Sequence, residues 1–152
     1  MPRWIMRTSL ALSVLAVGLT GYLTATHYTD PAALACPDSG LINCTLVTTS
    51  SWSVLFGVPV AVWGLAWALG MTALTLPWAW RARSVWVDRL RLAGAAAGGV
   101  MVLYLVYIEL FRVDAICIWC TGVHLTALAL LGVVSAAPVA RPGSVTRRRR
   151  AL

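Results

Sequence analysis

Asp114-Ala115-Ile116-Cys117-Ile118-Trp119-Cys120-Thr121-Gly122-Val123-His124 marks the point where a short polar segment gives way to a long apolar run. On a helix, Cys117 and Cys120 lie three residues apart on one face. His124 follows at i+4 from Cys120 and i+7 from Cys117, so that face carries two sulfurs and an imidazole. With Asp114 as the expected N-cap, Cys117 falls in the first turn, where unpaired N–H groups and the positive end of the helix dipole favour a thiolate. Such a pair suits redox chemistry, but other readings compete. Cysteines also serve as small apolar fillers in membrane helices. Haem attachment is disfavoured because Thr121, not histidine, follows the second cysteine. Zinc would have to recruit Cys36, Cys44, His27 or His124.

Working outward, the apolar run from about 116 to 137 is one of four. The others cover about 8–25, 54–76 and 93–111 in a chain of 152 residues that is 60% hydrophobic and 11% charged, with mean hydropathy +0.82. That composition is too apolar for a soluble domain. It predicts an all-α membrane protein, a four-transmembrane-helix bundle with residues 1–137 as the membrane domain. The run 8–25 resembles a secretory signal peptide, but it is long and lacks a clear small-x-small cleavage site before His27, so it reads as an anchor. The glycines and alanines of 94–99 predict close helix approach. Trp78, Trp80 and Trp86 in the connector 78–92 suit an interfacial belt, and His27 marks the membrane edge.

A net charge of +7 invites a nucleic-acid reading, but the arginines flank apolar spans and report topology instead. In the four-span arrangement, Arg3 and Arg7, the connector's Arg81, Arg83, Arg89 and Arg91, and the tail's Arg141 and Arg147–Arg150 fall on one side; only Arg112 falls on the other. Both termini, including a basic tail over 138–152, are therefore expected in the cytoplasm. The loop 27–53, with Cys36 and Cys44, then shares the extracytoplasmic face with Cys117 and Cys120, a compartment where disulfides persist. Two pairs at one surface can exchange electrons, or can be permanent staples of a small bundle; four cysteines allow three connectivities, and sequence does not choose among them. Glu109 is a membrane acid of functional type, with Arg112 at i+3 as an ordinary ion-pair partner. Tyr104, Tyr107, Trp52 and Phe56 line a pocket or pack at the interface.

These residues together resemble the vitamin K epoxide reductase family in its short bacterial form. The likeness runs from Cys36 to about Leu131. It rests on Cys36 and Cys44 with seven residues between them, Ser50 six residues after Cys44, the Phe56-Gly57-Val58-Pro59 motif, and Cys117-Ile118-Trp119-Cys120 opening the last helix. Membrane thiol oxidases resembling DsbB place the two kinds of pair in the opposite order.

The resemblance implies a four-helix bundle around a quinone, menaquinone or ubiquinone, capped by the external loop. It implies that Cys117 and Cys120 are the active-site pair with Cys120 nearest the quinone, that Cys44 exchanges with Cys117, and that Cys36 meets the partner. It also places Ser50 near a quinone carbonyl, where a hydroxyl donor could stabilise developing charge. His124 stands where vertebrate relatives commonly carry a substrate-contacting tyrosine. Ser53 is the nearest polar candidate for a missing quinone-binding asparagine, and Phe56 joins the cofactor-binding set. These departures favour quinone reduction over epoxide reduction. The implied partner is a separate thioredoxin-fold protein resembling DsbA, from which electrons flow through both pairs to the quinone. The readings from other classes are a noncatalytic scaffold with structural disulfides and a metal-binding membrane protein.

Overall fold

The computed structural model describes residues 2–37, 39–82 and 84–137. The tail expected over 138–152 lies outside the described residues. Helix α1 covers Arg3–Thr29, so the apolar run 8–25 and much of its basic head form one continuous helix. Asp30 ends it in extended backbone, and its carboxylate accepts the Ala32 N–H (2.9 Å) to open a 3₁₀ turn over Pro31–Ala33.

The buried stripe of α1 includes Ser9, Ser13, Ala16, Thr20 and Leu23, spaced three and four residues apart. Such a stripe is too polar and too small to drive packing in water. In hydrocarbon, small side chains let helices approach, and hydroxyls bond back to their own turns. Ser13 Oγ donates to Ser9 O (2.8 Å) and lies 3.1 Å from Thr75 Oγ1 of the neighbouring helix.

The run expected to be helical over 54–76 divides in two. Strands β1 (Val54–Leu55) and β2 (Val58–Pro59) pair antiparallel, and helix α3 begins afterwards, at Val60–Thr75. The cause is the turn: Phe56 and Gly57 both take positive φ, 54° and 78°, the condition for the two-residue turn that matches strand twist. A helix of 16 residues spans only ~24 Å against a hydrocarbon core of ~30 Å. Among the described residues, three helices are thus long and apolar enough to cross a membrane, with α3 as a shorter apolar one.

The connector is also helical, with α4 at Pro77–Arg81 and α5 at Val85–Ile108. Two of its residues are not the surface markers expected. Arg91 is 2% exposed, donating to Leu74 O (2.9 Å) and Asp88 Oδ1 (2.8 Å), with its guanidinium 3.4 Å from the Trp80 ring centroid. Trp80 is buried as well, whereas Trp78 and Trp86 remain exposed. The expected close approach of α5 is realised: a Cβ on Gly98 would meet Trp67 at 2.5 Å, and one on Gly99 would meet Leu131 at 2.9 Å.

After α5 the backbone widens into a π turn over Glu109–Val113, closed by the Asp114 N–H on Glu109 O. Asp114 is left-handed (φ 52°), so it terminates this helix and is not the N-cap of the next. Ala115 and Ile116 stay extended because Ile116 is held by the loop: its N–H donates to Leu41 O (2.8 Å), and its carbonyl accepts the Asn43 N–H (3.1 Å). Helix α6 therefore starts at Ile118–Ser135, with Cys117 as its N-cap. α1 packs against α3 and α6, and α5 against α6.

Candidate active site

The site begins with the main chain. The pairing of residues 41–43 with Ile116 places Cys44 and Cys117 one residue beyond the hydrogen-bonded segment on either side. Asn43 caps the short helix α2 (Cys44–Thr49) by accepting the Leu46 N–H at 2.8 Å, which fixes Cys44 at its first position. Cys44 and Cys117 are both fully buried, in one cluster with Leu23 and Leu34, and Cys36 and Cys120 pack against it. All four sulfurs thus meet at one end of the bundle. Cys36 and Cys44 are disulfide-bonded, while Cys117 and Cys120 are free thiols.

The residue between the two thiols secures the loop. Trp119 Nε1 donates to Ala35 O (3.0 Å), and its ring lies 4.7 Å from that of Tyr22, whose hydroxyl accepts the Ala35 N–H (3.3 Å). Cys36 is held directly behind these contacts, half-buried and hence more accessible than Cys44.

Cys117 caps α6 with sulfur. Its Sγ accepts the backbone N–H of Cys120 at 3.2 Å. The side-chain hydrogen bond from Cys120 holds the Cys117 thiol below its ordinary range, helped by backbone N–H groups and opposed by burial. The sign is that of an acid whose charged form is stabilised: the thiolate persists to lower pH than in a free cysteine. Alkylation of reduced protein with a small membrane-permeant maleimide is accordingly expected to label Cys117 at pH values where a free thiol is protonated. Cys120→Ala removes the principal donor and should move the labelling profile to higher pH, as read by mass spectrometry of the Cys117 peptide.

Behind Cys120 opens a cavity of about 360 Å³. α1 contributes Thr20, Leu23 and His27 to its wall, and α6 contributes Cys120, Val123, His124 and Ala127. Both sets follow helical spacing. The loop contributes Thr48, Ser50, Trp52 and Ser53, α3 contributes Trp63 and Trp67, and α5 with its π turn contributes Gly98, Met101 and Glu109.

Of the residues singled out in the sequence, Cys120, Ser50, Ser53 and His124 share this wall, with Cys117 directly behind it. Phe56 does not: it stands at the hairpin tip, 89% exposed, because the turn that shortens α3 also points it away. Tyr104 and Tyr107 face outward too. Ser50 Oγ donates to Val47 O (2.9 Å) and Ser53 Oγ to Ser50 O (2.7 Å), so each presents lone pairs to the cavity unless its hydroxyl rotates. His27, expected at the membrane edge, is a wall residue; its spacing of four from Leu23 was the available signal. Arg112 lies 5.4 Å from the Trp52 ring centroid, and no ion pair joins it to Glu109 among the described residues. Among the described residues, no group of three or more His, Cys, Asp or Glu is arranged to hold a metal ion.

Size and lining suit a flat apolar ligand. The volume falls in the range of small-molecule sites, the wall is dominated by aliphatic and aromatic carbon, and a few polar groups converge on it. Two cysteine pairs meeting at the edge of such a cavity, within a bundle of membrane-length helices, define a membrane thiol–disulfide oxidoreductase. Residues 7–135 match the model of the Vitamin K epoxide reductase family, and the chain belongs to that family.

Proposed function

We propose that this protein oxidises the dithiol of an extracytoplasmic thioredoxin-fold protein, resembling DsbA, and delivers the electrons to a quinone, menaquinone or ubiquinone. The carrying observation is that all four cysteines pack in one cluster, with Cys120 opening from it onto an apolar cavity. The association of the family with quinones and thioredoxin-like partners points the same way.

In this reading the chain spans the membrane four times, both termini are cytoplasmic, in keeping with the arginine distribution, and the cysteine end faces outward. Cys36, the more accessible loop sulfur, takes the partner's thiolate. Cys44, freed by reduction of the loop pair, attacks Cys117 in its disulfide with Cys120, and the loop disulfide re-forms as the helix pair is reduced. Ser50 of the loop and His124 of α6 would hold and orient the ring, while Trp63, Trp67 and Met101 would exclude water from it. Ser53 sets Ser50 through their hydrogen bond. A bound quinone supplies an acceptor for two electrons and two protons.

Anaerobic incubation of the purified protein with a reduced thioredoxin-fold partner and a defined quinone tests this. One quinol is expected per partner disulfide formed with the wild type, and none with Cys117→Ala. Absence of quinone-dependent partner oxidation by the wild type would remove the proposal.

A further inference from the structure

Oxidising a dithiol releases two protons, and the two thiols differ in where theirs can go. Cys120 stands on the cavity wall, so the proton on its sulfur is adjacent to the acceptor's space. Cys117 is 0% exposed and does not line the cavity, so its proton needs an intermediary.

One side chain spans that gap. Glu109 is 6% exposed and lines the cavity. Its carboxylate lies against the backbone N–H of Cys117, and its charge acts on both thiols. The π turn that it opens is also the turn whose end presents Cys117: the N–H groups of Asp114 and Ala115 both close on Glu109 O, the latter at 3.2 Å. Such widened turns put a side chain where a regular helix would not. Arg112, the cation on the same turn, is directed to Trp52, which leaves the acid without a neutralising partner among the described residues.

We infer that Glu109 is the proton carrier between the buried Cys117 sulfur and the cavity. This rests on the quinone-linked reading above. In the reduced state one proton is on Cys120 Sγ and the other on the Glu109 carboxyl, beside a Cys117 thiolate. Forming the Cys117–Cys120 bond breaks one S–H and one O–H bond, and two electrons and two protons pass to the quinone, leaving a disulfide and a Glu109 carboxylate. Reduction by the loop dithiol restores one proton to Cys120 and one to Glu109. The titratable and charged groups around Glu109 are Cys117, Cys120 and His124 at and along α6, His27 of α1, and Arg112 of its own turn.

The test needs no quinone in its first arm. An infrared difference spectrum of quinone-free protein, dithiol minus disulfide, is expected to show a protonated-carboxyl C=O band in the reduced state. That band should vanish in Glu109→Gln and shift in Glu109→Asp. In the second arm, Glu109→Gln should lower kcat with quinone roughly 100-fold, leave KM for the partner unchanged and alter the pH profile of kcat. Glu109→Asp should recover part of the rate. No carboxyl band in the wild type, or a Glu109→Gln enzyme with the kcat and pH profile of the wild type, overturns the inference. A wild type that shows the band but never reduces quinone sinks the functional proposal instead.

Discussion

Cys120→Ala is expected to reduce quinone-linked turnover to the uncatalysed background and to accumulate a Cys44–Cys117 disulfide. Both effects follow from one geometry. Cys117 and Cys44 are fully buried in the same cluster, whereas Cys36 is held at its edge. A Cys117 thiolate attacks Cys44 Sγ, the Cys36–Cys44 bond breaks, and Cys36 leaves as a thiolate that takes up a proton. In the intact protein Cys120 resolves this species by attacking Cys117, which forms the Cys117–Cys120 bond and releases Cys44 as a thiolate, so the mixed species is transient. Without Cys120 nothing resolves it from that side. Peptide mapping under non-reducing conditions should find Cys44 linked to Cys117 and Cys36 free, more so at raised pH because the variant has lost the donor that sustains its thiolate. An intact Cys36–Cys44 bond beside a free Cys117 at every pH would mean that the pairs do not exchange.

The second large effect is expected at Gly98, one methyl away from a collision. A Cβ there would lie 2.5 Å from Cζ2 and 2.8 Å from Cε2 of Trp67. The indole is not free to swing aside, since its Nε1 donates to Gly94 O at 2.8 Å. Gly98→Ala must displace the ring, lose that hydrogen bond or separate α3 from α5, and overpacking of this kind costs about 1–3 kcal/mol. The melting temperature in detergent should fall, and KM for quinone should rise because Trp67 and Gly98 both line the cavity. Gly132→Ala is the matched control: a Cβ there meets nothing within 4 Å, so the change should be neutral or slightly stabilising through helix propensity. Equal losses at both glycines would refute the packing argument.

The apolar runs and the cysteine motifs were legible because they depend on composition and short-range spacing. Helical periodicity alone put Cys120 and His124 on a common face, and they do share the cavity wall. What the sequence did not yield were features decided by contacts between distant segments. Asp114 looks like an N-cap in isolation, but pairing of Ile116 with residues 41–43 keeps the chain extended until Cys117. Phe56-Gly57-Val58-Pro59 reads as the opening of a helix, yet consecutive positive φ values turn it into a hairpin and send Phe56 outward. Arg91 looks like a topology marker and is a buried structural cation, because Leu74 O takes its Nε–H, Asp88 pairs with one terminal nitrogen and the Trp80 ring covers its face. Glu109 was visible as a membrane acid, but its place beside Cys117 depends on the π turn, which no simple residue pattern announces.

The stitching of residues 41–43 to Ile116 has a wider implication. Because peptide groups make those bonds, most side chains along both segments are free to vary across homologues without disturbing the alignment of the two couples. Segment length is not free in the same way. Adding or removing a single residue between Leu41 and Cys44, or between Ile116 and Cys117, would slide one sulfur past the other. Natural variation in this part of the molecule should therefore take the form of substitutions, with insertions and deletions confined to the far side of the loop.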